Sequence, residues 1–109
     1  MRKTREQVLA LVREFRDRLA GIYGSRLKGV YLYGAYARGE ATADSDIDVA
    51  VVLAGPVHRW EEDKRTDDLI GNLSLREDCI LMPLFLSEEE YARAPYAVFR
   101  DILRERVGV

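Results

Sequence analysis

Asp46 and Asp48 are the residues of this chain best placed to do chemistry. They stand one residue apart at the head of an apolar run, Val49-Ala50-Val51-Val52-Leu53. The run is rich in β-branched residues and reads as a buried strand over residues 46–53. Along a strand, side chains at i and i+2 point to the same face. Both carboxylates are therefore aimed at one point, while Ile47 faces the other way. Two carboxylates so close repel, and each raises the other's pKa unless a cation lies between them. A hard divalent ion such as Mg²⁺ answers that need, with phosphate oxygens completing its shell. Just upstream, Gly34-Ala35-Tyr36-Ala37-Arg38-Gly39-Glu40 follows another apolar run. A glycine-bearing turn beside a carboxylate pair points to a site for a metal-bound nucleotide.

The elements that must hold this site can be read from periodicity. Val8, Val12, Phe15, Leu19 and Ile22 recur at helical spacing, and Thr4 with Gln7 forms a candidate capping box. Residues 30–33 read as a strand ending at Gly34, and residues 34–45 have room for one or two helical turns. The end of the first strand and the start of the second must meet at the site. That favours antiparallel neighbours over a parallel pair, which needs a longer crossover. Gly55-Pro56 breaks the chain before a charged helix over 60–73, with Trp60, Leu69, Ile70 and Leu73 as a sparse apolar face. Its charge run reads as a solvated face, and His58 before it reads as a surface residue. A third strand spans 80–86, where Pro83 argues for a sheet edge or a bulge. Ser87 and Glu90 form a second candidate capping box. Pro95 ends the short helix that follows. A last helix starts near Tyr96, with Val98, Phe99, Ile102, Leu103 and Val107 as its apolar face. The expected fold class is α/β (α+β), with a small mixed or antiparallel sheet of three or more strands packed with helices.

The chain has 109 residues, enough for one core, and residues 1–109 are expected to form a single domain. The net charge of −2 gives no sign of non-specific nucleic-acid binding. A single cysteine, Cys79, allows no internal disulfide and reads as a half-buried structural thiol. Neither a signal peptide nor a membrane-spanning run is visible, so a cytoplasmic location is expected.

Gly34 and Ala35, ten intervening residues, then Asp46-Ile47-Asp48 closely resemble the signature of the minimal nucleotidyltransferases of the DNA polymerase β-like superfamily. That signature is Gly-Ser, ten residues, Asp-x-Asp. Tyr36 to Glu40 and Asp44-Ser45-Asp46 match its local context, and the order of elements extends the likeness over most of the chain. Taken singly, Gly34 and Gly39 would shape a turn, Arg38 would be a surface charge and Asp44-Ser45 would cap a strand. The resemblance implies more. Asp46 and Asp48 would be catalytic and hold one or two Mg²⁺ ions. Gly34, Ala35, Arg38 and Ser45 would bind the nucleotide. The reaction would transfer a nucleoside monophosphate, AMP from ATP, to an acceptor. It also implies a small helical HEPN-domain partner, in some relatives the toxin to an antitoxin. Self-association through the edge strand or the last helix is a further expectation.

Two departures stand out. Ala35 replaces the family's serine and removes a hydroxyl that reaches the phosphates. The third strand carries no acid where many relatives place a third carboxylate, and Met82, Pro83 or Leu84 falls there instead. Glu77 and Asp78 come too early. The alternative is thus a weak or inactive nucleotide- and partner-binding module of the same fold.

Overall fold

A computed structural model describes residues 3–93 and 97–109. Helix α1 (Arg5–Tyr23) leads into a short 3₁₀ turn and strand β1 (Leu27–Tyr33). A one-turn helix α2 (Ala35–Arg38) and a loop connect to β2 (Ile47–Leu53). Helix α3 (Arg59–Glu77) crosses to β3 (Leu81–Ser87), followed by α4 (Glu88–Arg93), α5 (Ala97–Glu105) and β4 (Val107–Gly108). The sheet order is β3-β2-β1-β4. β1 is antiparallel to β2 and to β4, whereas β2 and β3 run parallel. The antiparallel pairing expected at the site is present, and β3 is an edge strand, which accommodates Pro83.

The pleat divides the sheet into two faces. Val30, Leu32, Ile47, Val49, Val51, Leu53, Leu81 and Phe85 pack against α1 and α3, with Phe15 and Leu19 at the centre. On the other face, Ala50 and Leu86 meet Phe99 and Ile102 of α5, with Tyr31, Tyr33, Leu84 and Tyr91 around them. Asp48 lies on this second face by alternation from Ile47 and Val49.

Both capping boxes form. Thr4 and Gln7 bond reciprocally at the start of α1, and Ser87 and Glu90 do the same before α4. Cys79 is half-buried, and burial pushes its thiol pKa up. His58 is exposed at the N-cap position of α3.

Several expectations are corrected. Ile22 is exposed, because α1 turns Leu11 and Tyr23 inward instead. Trp60 is 69% exposed rather than on the apolar face of α3. That face follows Glu62, Thr66 and Leu73, and two residues off such a stripe lies on the far side of a helix. Lys64 covers the Trp60 ring at 4.1 Å. Val107 is not helical: it pairs with Leu32 in β4. Asp46 precedes β2 rather than opening it. Pro95, Tyr96 and the side chain of Val98 lie outside the described residues.

Tyr23 makes a buried link between α1 and α3. Its hydroxyl donates to Glu62 Oε1 at 2.9 Å, and Arg65 Nη1 donates to the same oxygen at 2.8 Å. Burial and then Glu62 push the Tyr23 phenol from 10.0 up to about 12. The folded pKa exceeds the unfolded one, so this contribution to stability is complete below pH 10 and is lost as pH rises through about 12. Thermal midpoints across that range should fall in the wild-type chain, and the alkaline component should shrink in Tyr23→Phe.

Candidate active site

The site forms where β1 ends and β2 begins. Antiparallel register sets Tyr33 opposite Asp48, and parallel register sets Met82 on the far side of Asp48. Tyr33, Asp48 and Met82 therefore make one row across the second face of the sheet. Ile47 N–H donates to Ile80 O at 2.8 Å, which ties the chain beside Asp46 to the approach to β3.

Gly34 makes the turn out of β1. Its φ of 77° and ψ of −156° lie where a side chain is not tolerated. A Cβ built on Gly34 would sit 2.3 Å from Asp48 Oδ2, so the bare turn is packed against the carboxylate itself. Ala35 follows at the start of α2 and is half-buried. Arg38 ends α2, and Gly39, at φ 76°, closes it in the left-handed conformation.

The electrostatics follow from this crowding. Burial raises the Asp48 carboxyl above the ordinary carboxylate range, and the charge of Asp46 adds to it. Arg38 opposes the rise and Glu105 adds a smaller push upward. Burial, Asp48 and Glu105 together hold the Tyr33 phenol at about 12, so it stays neutral beside the carboxylates. A half-buried, repelling pair of oxygen donors is the chemistry that a hard divalent cation satisfies. The residues present thus suit Mg²⁺. Among the described residues, no three His, Cys, Asp or Glu side chains converge as a metal cage.

The other expected site residues are placed as follows. Arg38 does not pair with the aspartates. Its Nε donates to Glu40 Oε2 at 3.0 Å and its Nη1 to Glu105 Oε1 at 3.0 Å. Ser45 Oγ accepts from the Thr42 backbone N–H at 2.8 Å and so shapes the loop before Asp46. A cavity of about 260 Å³ opens beside Asp46, lined by Tyr36, Asp44, Ser45, Cys79 and Ile80 among others. Asp78, in the left-handed conformation after α3, also borders it.

Two participants were missed by sequence reasoning. Tyr33 reads from the sequence as a strand residue alone, although its place one before Gly34 puts it opposite Asp48. Glu105 carries no motif of its own. It sits three residues after Ile102, an acid on an otherwise apolar helical stripe, and that misfit was the available signal.

The nucleotidyltransferase domain model matches residues 6–107. The chain belongs to the nucleotidyltransferase domain family. Two proteins of Methanocaldococcus jannaschii, each named "Putative protein adenylyltransferase", are similar to it. One is 32% identical over 86% of this chain and 89% of its own length; the other is 27% identical over 72% and 78%. Among solved structures, a protein described as a "putative nucleotidyltransferase from Sulfolobus solfataricus" superposes with a TM-score of 0.69 at 22% identity, covering 95% of this chain and 80% of that one. A toxin-antitoxin structure with AMP-PNP has a TM-score of 0.55 at 19% identity, over 97% of this chain and 72% of that one. A Shewanella oneidensis complex of tri-AMPylated HEPN toxin with MNT antitoxin gives 0.51 at 18%, over 95% and 66%. These structural likenesses establish the fold. This nucleotidyltransferase domain therefore has the mixed α/β architecture of its neighbours. No described helix is long and apolar enough to cross a membrane.

Proposed function

We propose that this nucleotidyltransferase transfers AMP from ATP to an acceptor on a partner protein of the HEPN type. Mg²⁺ would be held by Asp46 and Asp48. The observation that carries the reading is the contact between Gly34 and Asp48, where a single added carbon would strike the carboxylate at 2.3 Å. The turn proposed to bind phosphate and the carboxylate proposed to bind metal would thereby belong to one site. The names of the M. jannaschii relatives and the toxin-antitoxin neighbours support the reaction class and the kind of partner.

When bound, the cation neutralises triphosphate charge and favours the ionised acceptor oxygen. The protein's own residues do the rest. Gly34 and Ala35 let the phosphates approach the backbone of the turn. Arg38 makes no described hydrogen bond through Nη2, and that nitrogen is available to a phosphate oxygen. Tyr33, neutral beside Asp48, borders the reacting end without adding charge.

Incubating the chain with Mg²⁺, α-labelled ATP and a helical HEPN-type partner should label the partner. Asp46→Asn should remove the label. Absence of labelled product with every NTP would overturn catalysis. A second reading, nucleotide binding without turnover, is favoured by one specific observation: Met82, not an acid, stands beside Asp48 on β3. ATP binding with no release of pyrophosphate would select it.

Ala35→Ser tests the missing hydroxyl. A new hydrogen bond to a charged phosphate should tighten ATP binding by roughly tenfold. Calorimetry of the two proteins in Mg²⁺ is the check, and equal affinities would mean that the hydroxyl does not reach the phosphates.

A further inference from the structure

We infer that Glu105 is a positioning residue for nucleotide binding: it holds the Gly34 turn and Arg38 in the arrangement that the triphosphate meets. This role rests on the reading of the site as a nucleotide site. Glu105 lies 71 residues from Gly34 in sequence, yet its Oε2 accepts from the Gly34 backbone N–H at 3.2 Å. Its Oε1 accepts from Arg38 Nη1 at 3.0 Å. One carboxylate thus spans both ends of α2. Its side chain is 12% exposed, whereas the second acid on Arg38, Glu40, is 67% exposed. Both bonds to Arg38 are exposed, and Glu105 is the more sheltered of the two acids.

The surroundings fix Glu105 from both sides. Ile102, one turn earlier, is fully buried. Two residues later, Val107 pairs with Leu32, and Val109 N–H donates to Val30 O at 3.1 Å. Arg106 lies over the rings of Tyr31 and Tyr91, which stack with centroids 5.4 Å apart, and it donates to the Tyr91 hydroxyl. The carboxylate is delivered to the turn by a clasped segment rather than by a free tail. A guanidinium held at Nη1 by Glu105, with Glu40 a weaker partner on Nε, presents Nη2 in a defined direction, which lowers the ordering cost of binding a phosphate.

The test is calorimetric titration of the full chain with ATP and Mg²⁺, below the thermal midpoint of every variant. Glu105→Gln preserves shape but turns one acceptor into a donor facing Gly34 N–H or Arg38. It should weaken ATP binding by roughly tenfold, the scale of one charge-assisted hydrogen bond. In an Arg38→Gln background the same change should cost much less, because part of its effect runs through Arg38. Binding by Glu105→Gln as tight as wild type, or tighter, would overturn the role and mark Glu105 as a competitor of the phosphates. An equal loss in both backgrounds would overturn the part played through Arg38. If the wild-type chain binds no ATP, the reading of the site fails and this role with it. That outcome is distinct from a wild-type chain that binds while the variant is unaffected.

Discussion

Asp48→Asn is expected to lower nucleotide transfer on the order of a thousandfold while leaving the metal-free chain at least as stable as wild type. Loss of the metal ligand proposed at Asp48 accounts for the first effect. The second follows from linkage. Asp48 is held above its ordinary 3.8 by burial and by Asp46, so the folded chain binds this proton more tightly than the unfolded chain. An acid of that kind opposes folding once it ionises, and an amide of the same shape removes the opposition. Two measurements separate the effects. Label transfer from α-labelled ATP reports the chemistry. Thermal midpoints with and without Mg²⁺ report the charge: added Mg²⁺ should raise the midpoint of the wild-type chain and leave Asp48→Asn unmoved. Transfer retained within tenfold, or an Mg²⁺ response that survives in the variant, would remove Asp48 from the site.

Gly34→Ala should damage the fold and the site together. The backbone there has φ 77° and ψ −156°, a region that essentially only glycine occupies, and forcing a side chain into it costs about 1–3 kcal/mol. The added carbon also meets Asp48 Oδ2 at 2.3 Å. Turning the Asp48 carboxylate aside relieves only part of the clash, because its Cγ and Cβ also lie 3.1 and 3.2 Å from the added carbon. The turn must therefore open, and opening it also breaks the bond from Gly34 N–H to Glu105. The midpoint should drop, and ATP affinity should fall even at temperatures where the variant is fully folded. Gly39→Ala is the contrast. Gly39 also has positive φ, but open space surrounds its missing Cβ, so that variant should lose stability without losing the carboxylate geometry. Equal ATP affinities for Gly34→Ala and wild type would show that the turn does not touch the nucleotide.

The parts of the site that were legible in the chain are those joined by short connections. Residues 34–45 leave little room for a full crossover helix, which favours antiparallel strands with Gly34 near Asp48. The capping boxes were legible for the same reason, since both partners lie within one turn. Longer-range choices were not. Ile22 and Tyr23 both continue the stripe of α1 within helical tolerance, and Tyr23 is inside because its hydroxyl finds Glu62, 39 residues on. The two residues of β4 have no periodicity of their own, and Val107 continues the spacing of the preceding helix until pairing with β1 overrides it.

By itself, the sequence determined the candidate centre: a glycine turn and two carboxylates at a spacing that strand geometry brings to one point. The tertiary structure decided what surrounds that centre. Parallel pairing of β3 put Met82 beside Asp48, and the clasp of β4 onto β1 brought Glu105 to Gly34 and Arg38. The physical reason is range. Side-chain alternation and short-loop closure act between neighbours and leave a pattern in the chain. A carboxylate that meets its partners across 71 residues depends on which surfaces the whole core leaves in contact.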